Sequence, residues 1–230
     1  VNCVGLYRER GGRTFASVHV EGARNLAEAA RAAGVERLVH ISGIGADPAS
    51  RSPYVRSRGA GEAAVRAAFP GATLIRPSMM FGPGGDALEA MAAILRVSPV
   101  FPLFGSGETR LQPIFVEDVA QAILAAATRE DARGRTFELG GPEKLYYRDL
   151  VERVRRLARA HAALVPLPMA AWRSLATLSA VLPNPPVTEG QVALMARDNV
   201  ADDAAEGLGA LDVEATPLAA IAPAYLTRGR

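Results

Sequence analysis

A tyrosine and an arginine four positions apart are the side chains whose spacing points most directly to chemistry. Tyr54 and Arg58 lie in the stretch SPYVRSRGAGE, residues 52–62, where Ser52 and Pro53 are typical of the N-cap and first residue of a helix. At this spacing the two side chains share one helix face. Because a cation favours the phenolate, Arg58 is expected to lower the pKa of Tyr54 from about 10. Such a tyrosine can act as a general acid or base toward a carbonyl or an alcohol, although the pair also fits a surface tyrosine beside a solvated arginine.

Ser42 and the three histidines are the other side chains considered for chemistry. Ser42 ends the predicted strand before this helix, from where it can donate a second hydrogen bond to the same substrate oxygen. His40 shares the strand face of Ser42, and we interpret it as a structural histidine whose hydrogen bonds are satisfied. His19 and His161 are expected on helices, without carboxylate or cysteine neighbours at ligand spacing. The sequence therefore predicts no metal site.

The elements that must position these residues follow an alternating pattern. Strands are predicted over residues 1–7, 35–42, 72–78, 111–116 and 136–141, and helices over residues 16–34, 53–69, 86–97 and 117–128. Helices of this length between strands imply right-handed crossovers and a parallel sheet covered on both faces. After Tyr146 the pattern changes to a helix over residues 147–161 and Ala/Leu/Pro-rich segments without clear strand alternation. This part is predicted to be a mainly helical lobe.

The carboxyl ends of the predicted strands are the places where a ligand is expected. In open α/β sheets ligands bind beyond these ends, which here are residues 5–6, 42–45 and 77–82. Two of them, SGIGAD and PSMMFGPGG, are rich in glycine and other small residues, which let a ligand approach the backbone closely. The alternative is that these glycines only form the turns between strands and helices.

Composition and charge exclude several classes of protein. The chain has 230 residues, of which 49% are hydrophobic and 22% charged, as in ordinary globular proteins. A net charge of +2 without a basic stripe does not suggest nucleic-acid binding. The single cysteine, Cys3, excludes an internal disulfide framework, and we predict that it is a small core residue. Charged residues and prolines interrupt the apolar stretches, so no transmembrane segment is predicted.

The order of these motifs resembles a known family. The segments VNCVG, VHVEGARNLAEAARAAGVERLVHISGIGAD, YVRSRGAGEAAVRAAFPGATLIRPSMMFGPGG, QPIFVEDVAQAI and FELGGPE are together similar to the extended or atypical short-chain dehydrogenases/reductases, a superfamily of NAD-dependent epimerases and dehydratases. Within it, the chain resembles the branch that contains the nucleotide-binding accessory subunit of respiratory complex I and its bacterial relatives. The resemblance implies an α/β fold with a Rossmann-like, doubly wound parallel sheet. The expected domains are a partial NAD(P)-binding domain over residues 1–145 and the helical lobe over residues 146–230.

Two departures from the family pattern affect the predicted function. The family opens with a strand, a glycine-rich turn and a helix that hold the dinucleotide pyrophosphate, and the sequence contains no such motif. Residues 1–5 resemble the fourth strand of the family, so we expect that an N-terminal half of on the order of 70–80 residues is missing through truncation. The second departure is Arg58, which stands where the family has lysine. It keeps the charge beside Tyr54 but cannot relay a proton.

The strand ends and the resemblance together define the predicted site. The predicted catalytic residues are Ser42, Tyr54 and Arg58. The predicted cofactor-binding residues are Val4, Gly5, Leu6, Ile41, Ser42, Tyr54, Arg58, Pro77 and Met80. The implied cofactor is NADP or NAD in the complete protein, and the implied partners are the dinucleotide and subunits of complex I. The implied location is the cytoplasm or, as a peripheral protein, the cytoplasmic face of the bacterial inner membrane.

Three hypotheses about function remain open from the sequence. The first is a cofactor-holding protein with little or no activity. The second is an active NAD(P)-dependent reductase, epimerase or dehydratase on a sugar nucleotide or another small carbonyl compound, with Tyr54 handling the proton. In the third, these 230 residues alone bind no dinucleotide. Among the remaining residues, Asp118 is predicted to cap a helix start or to be solvated there, and Met79 to lie in the core or a pocket wall.

Overall fold

The computed structural model describes residues 1–84, 87–180, 182 and 187–227. A π-helix over Ala16–Gly22 comes first. The helices and strands that follow in chain order are α1 (Ala23–Ala32), β1 (Val39–Ile41), α2 (Pro53–Ala68), β2 (Thr73–Pro77), β3 (Met80–Phe81), α3 (Ala87–Val97), β4 (Val100–Phe104), β5 (Arg110–Leu111), β6 (Ile114–Phe115), α4 (Val116–Thr128), β7 (Thr136–Leu139), β8 (Leu145–Tyr146), α5 (Tyr147–Leu157), β9 (Ala163–Leu167), α6 (Met169–Ser179), α7 (Glu189–Met195) and α8 (Leu218–Leu226). None of these described helices is long and apolar enough to cross a membrane.

The chain forms two compact units. Unit 1 comprises Val1–Ser78, Glu117–Gly140 and Ala201–Ala215, and unit 2 comprises Met79–Val116, Gly141–Val200 and Thr216–Arg230. Both units contain residues from either side of position 145, where the sequence predicts a domain boundary, and that division stays a prediction.

Unit 1 contains the predicted parallel sheet. Its strand order is β1-β2-β7, and both pairs are parallel. The central strand β2 is almost entirely buried, with Leu74 and Ile75 fully inaccessible, as expected for a strand covered on both faces. The strand predicted over residues 1–7 is reduced to one bridge between Asn2 and His40. Cys3 is exposed there, so its prediction as a core residue is wrong.

The first predicted helix ends where its sequence indicates. Gly34 has φ +70°, the left-handed conformation that glycine adopts without strain. Its N–H bonds to the carbonyl of Arg31, and the N–H of Val35 bonds to that of Ala30. This pair of bonds is a Schellman motif, which satisfies the last carbonyls of α1.

Helix α2 begins at Pro53, as predicted, and packs closely against the π-helix. Ser52 occupies the N-cap position, but its side chain makes no capping hydrogen bond. A Cβ added at Gly61 would overlap the carbonyl oxygen of His19. Glycine at this position therefore allows the two helices to approach each other.

A buried ion network connects helix α2 to the sheet in unit 1. Arg76 on β2 contacts both carboxylate oxygens of Glu62 on α2, at 2.9 and 2.7 Å. The same guanidinium lies 3.2 Å from Glu138 on β7. Glu62 is buried, so its charge depends on this pairing.

Unit 2 is built around helices α3, α5 and α8 and contains the strand pairs β3–β6, β4–β9 and β5–β8. Leu88, Leu95, Leu150 and Leu226 lie in its core. Strands β4 and β9 pair in parallel. Asp86, the predicted first residue of α3, lies outside the described residues.

The helical lobe predicted after Tyr146 contains a strand that the sequence pattern did not indicate. Strand β9 contains Pro166, and β4 is its only strand partner in the described ranges. Proline is tolerated on such an edge strand, which explains why the ALVPLPM segment lacks an ordinary strand pattern. His161 lies between α5 and β9, so its prediction as a helical residue is wrong.

Candidate functional site

The predicted site residues of unit 1 gather at the carboxyl ends of β1 and β2. The N–H of Ser42, just after β1, bonds to the carbonyl of Ile75, and the N–H of Ile44 bonds to that of Pro77 at the end of β2. Val4 is held in the preceding segment by a bond from its N–H to the side chain of Asn2, 3.1 Å long. Met80 lies on β3 of unit 2, and its predicted role stays a prediction.

Arg58 binds the main chain at this strand end. Its Nη2 donates to the carbonyl oxygen of Ser42 at 2.9 Å, and its Nη1 donates to that of Ile41 at 3.4 Å. A Cβ placed on Gly5 would lie 3.2 Å from Nη1. The guanidinium therefore fills the space between helix α2, the end of β1 and the Gly5 backbone.

Tyr54 shares a helix face with Arg58, as the spacing predicts. The guanidinium carbon lies 5.9 Å from the centre of the Tyr54 ring, and the tyrosine is 9% exposed. Burial raises the pKa of Tyr54 to about 12, although the charge of Arg58 opposes this rise. The predicted lowering of the pKa is therefore wrong, because loss of solvent outweighs the nearby cation.

Three rings enclose Tyr54, and the sequence predicted none of these contacts. Tyr7 stacks on it with ring centres 5.6 Å apart and planes 18° apart. Phe15 and His19 meet it edge-on, at 5.6 and 5.7 Å. Phe15 and His19 are four positions apart on one helix face, and this spacing is the only signal in the sequence that could have grouped them.

Ser42 is buried at 2% exposure. Its Oγ makes no hydrogen bond within the described part of the chain, and neither does the Nε of Arg58. Buried polar atoms in proteins are usually paired, so these two atoms are available to bond to polar groups of a ligand.

Comparison with known proteins identifies the family. The profile of the NAD dependent epimerase/dehydratase family matches residues 1–140. The chain belongs to this family. The resemblance to extended short-chain dehydrogenases/reductases, predicted from the motifs, and the α/β fold with a Rossmann-like parallel sheet are thus confirmed.

Individual proteins are also similar to this chain. The chain is 33% identical over 220 residues to NADH dehydrogenase [ubiquinone] 1 alpha subcomplex subunit 9, mitochondrial, of Mus musculus, an alignment that covers 95% of this chain and 58% of the mouse protein. It is 40% identical over 125 residues to the ceramide reductase of Caulobacter vibrioides, covering 54% of this chain and 39% of that enzyme. The crystal structure of gox2253 superimposes with a TM-score of 0.67 at 26% identity, covering 96% of this chain and 74% of that one. The chain thus spans little more than half the length of the mouse relative.

His40 lies on β1, two residues before Ser42, and its ring is buried. Its Nδ1 accepts a hydrogen bond from the side-chain amide of Asn2 at 3.1 Å. Burial and the charge of Arg58 lower the pKa of His40 to about 4. The buried ring and its bond to Asn2 agree with the interpretation of His40 as a structural histidine.

Two other predictions concern Asp118 and metal ligands. Asp118 lies in the first turn of α4 and is buried, so the alternative of a solvated side chain is wrong. An acidic group in this turn is favoured by the positive end of the helix dipole. Across the described ranges, no group of three or more His, Cys, Asp or Glu side chains is arranged to hold a metal ion.

Proposed function

We propose that the protein holds a nicotinamide dinucleotide, NAD(H) or NADP(H), at the carboxyl ends of β1 and β2, with little or no turnover. The observation that carries this proposal is the state of the Tyr54–Arg58 pair. With a pKa of about 12, Tyr54 is a poor base at neutral pH. Arg58 is bonded to backbone carbonyls and cannot pass on a proton. The pair suits binding better than proton transfer.

The residues at the strand ends suit the nicotinamide end of such a cofactor. The unpaired, buried Oγ of Ser42 can bond to a polar ligand group, and the backbone of Val4 and Gly5 is exposed beside Arg58. When bound, the nicotinamide ring supplies a centre that gives or accepts a hydride. The residues of unit 1 that we propose to contact the cofactor are Val4, Gly5, Leu6, Ile41, Ser42, Tyr54, Arg58 and Pro77.

We extend the proposal to association with respiratory complex I. Its support is the similarity over 95% of this chain to a mouse protein named as a subunit of NADH dehydrogenase [ubiquinone]. The proposed location is the cytoplasm, with peripheral attachment at the cytoplasmic face of a bacterial inner membrane. Co-purification of a tagged chain with complex I subunits tests this step, and its absence from complex I isolated in mild detergent contradicts it.

An active NAD(P)-dependent reductase, epimerase or dehydratase is the second candidate. It is favoured by the 40% identity to a ceramide reductase over 54% of this chain. In this case a carbonyl substrate would bond to Ser42 and Tyr54, and neutral Tyr54 would donate the proton. Its raised pKa makes the phenol a weak acid, which is why this candidate ranks second.

Titration with NADH and NADPH, followed by cofactor fluorescence, tests the proposal. It is run on the 230-residue chain and on the product of the longest reading frame that contains it. Saturable binding of either cofactor supports the proposal, whereas no saturable signal from either product contradicts it. The Tyr54→Phe variant separates the two candidates, since it should keep the cofactor in the first and lose turnover in the second. Tyr146→Phe, which changes an exposed tyrosine of unit 2, is the matched control.

A further inference from the structure

His19 is a buried imidazole that the proposed function does not use. It lies in the π-helix and is 2% exposed. Its Nε2 is 3.0 Å from the backbone nitrogen of Leu6, and its Nδ1 is 2.8 Å from the Oγ of Ser57 on α2. The ring thus connects the Gly5–Leu6 segment to the helix that carries Tyr54.

The partners of His19 determine where its proton lies. A backbone N–H can only donate, so Nε2 must accept the bond from Leu6. In a neutral imidazole the other nitrogen then carries the proton, and Nδ1–H donates to Ser57. The hydroxyl of Ser57 can accept this bond because it gives its own proton to the carbonyl of Tyr54, 2.7 Å away. One arrangement of protons therefore satisfies all three hydrogen bonds in this series, which runs from the N–H of Leu6 through His19 and Ser57 to the carbonyl of Tyr54.

The packing around His19 fixes the plane of its ring. Phe15 stacks on one face with ring centres 5.5 Å apart, and Tyr54 meets the ring edge-on. The absence of a side chain at Gly61 lets α2 reach the backbone of His19. Burial and the charge of Arg58 also lower the pKa of His19 to about 4, so the ring is neutral at physiological pH.

We infer that His19, as its neutral Nδ1–H tautomer, is a positioning residue that fixes the Gly5–Leu6 peptide against helix α2. A Cβ at Gly5 would lie 3.7 Å from the Nε2 of His19 and 3.2 Å from the Nη1 of Arg58. The Gly5–Leu6 segment therefore packs against both side chains. The inference rests on the proposed function in one respect, since Gly5 and Leu6 are proposed to contact the dinucleotide. The role of His19 is to hold their backbone in one orientation before the ligand arrives.

Amide hydrogen exchange of Leu6, measured by NMR without any dinucleotide, tests this role. His19→Asn keeps a donor toward Ser57 but is too short to reach Leu6, and it should speed Leu6 exchange up to ~10-fold, as expected for the loss of one hydrogen bond. His19→Gln places an acceptor near the position of Nε2 and should restore part of the protection. Equal exchange rates in the parent and His19→Asn proteins overturn the inference.

Ser57→Ala separates positioning through the tautomer from a general effect on packing. Removing the Ser57 hydroxyl takes away the acceptor of the His19 Nδ1–H bond and so loosens the imidazole that holds the Leu6 amide. Leu6 exchange should therefore rise by ~3-fold or more. The matched control is Ser179→Ala in unit 2, because Ser179 is also buried and its Oγ also donates to a carbonyl three residues earlier. The inference is overturned if the two variants leave Leu6 exchange alike, or if ¹⁵N spectra of the parent place the His19 proton on Nε2.

Cofactor titration of the same variants keeps this inference distinct from the proposed function. If the parent binds NADH or NADPH, the dissociation constant should rise by ~3- to 10-fold in His19→Asn and less in His19→Gln. If the parent shows no saturable binding, the proposed function fails, while the exchange rates and the tautomer still decide the role of His19. Unchanged affinity in His19→Asn, in a parent that binds, contradicts a positioning role toward the cofactor.

Discussion

Arg58 donates a hydrogen bond from Nη2 to the carbonyl oxygen of Ser42, 2.9 Å away. This bond joins the first turns of helix α2 to the end of strand β1. Arg58, which the sequence suggests as a partner for Tyr54, therefore also clamps the backbone, since it bonds to the carbonyls of Ile41 and Ser42. A charged donor bonded to two carbonyls fixes the site, which agrees with a role in binding.

Arg58→Lys is expected to weaken this clamp. An ammonium lacks the planar fork that reaches the carbonyls of both Ile41 and Ser42, so we expect the free energy of unfolding to fall by about 1–2 kcal/mol. Urea unfolding measures the change. Arg56→Lys is the control, because Arg56 on the same helix also donates to two carbonyls but is exposed. An equal loss of unfolding free energy in the two variants would show that the bonds of Arg58 stabilise the fold no more than the exposed bonds of Arg56 do.

Gly61→Ala tests the close approach of α2 and the π-helix. In an unobstructed helix, replacing glycine by alanine stabilises by about 1 kcal/mol. At Gly61 the new Cβ would overlap the carbonyl oxygen of His19, so we expect a net loss of about 2 kcal/mol or more. Gly190→Ala in helix α7 is the control, since its nearest neighbour would be Thr188 Oγ1 at 3.9 Å. Thermal unfolding should show a lower midpoint for the first variant and an equal or higher one for the second.

Glu62→Gln tests the ion network that connects helix α2 to the sheet. Removing the charge leaves Arg76 partly buried with Glu138 as its remaining carboxylate partner, and breaking a buried pair costs about 3–5 kcal/mol. Because Glu138 keeps part of the pairing, we expect the lower end of this range in urea unfolding. Glu130→Gln, which breaks exposed pairs with Arg37 and Arg133, is the control and should have a much smaller effect on stability. A loss in Glu62→Gln no larger than this control would contradict the assigned role of the network.

The sequence predicts the elements of unit 1 well because their signals are local. Ser52 and Pro53 mark the start of α2, Gly34 ends α1 with a left-handed turn, and the apolar run of β2 indicates a strand buried on both faces. Each signal depends on neighbouring residues and backbone geometry alone. Local periodicity therefore suffices to predict them.

The environment of Tyr54 could not be predicted in the same way. Its burial comes from Phe15 and Tyr7, which lie 39 and 47 residues before it in the sequence. The four-residue spacing to Arg58 indicates only the attraction, whereas the pKa depends on the balance with desolvation. The exposed position of Cys3 has a similar cause, because the strand predicted around it forms only the bridge at Asn2.

The stability of the fold should depend on pH through His19 and His40. Both imidazoles have a pKa lowered from 6.5 to about 4, chiefly by burial. The unfolded chain therefore takes up protons first, so the stability that these groups contribute is complete above pH 6.5 and is lost as the pH falls through about 4. A pKa lowered from 6.5 to about 4 corresponds to roughly 3 kcal/mol for each group. We expect the urea concentration at the unfolding midpoint to fall as the pH is lowered from 7 to 5, before most carboxylates titrate.

His19→Gln should make the urea midpoint depend less steeply on pH. His161→Gln, which replaces an exposed imidazole, is the control. A slope that is unchanged in His19→Gln would mean that His19 is not held neutral in the folded protein.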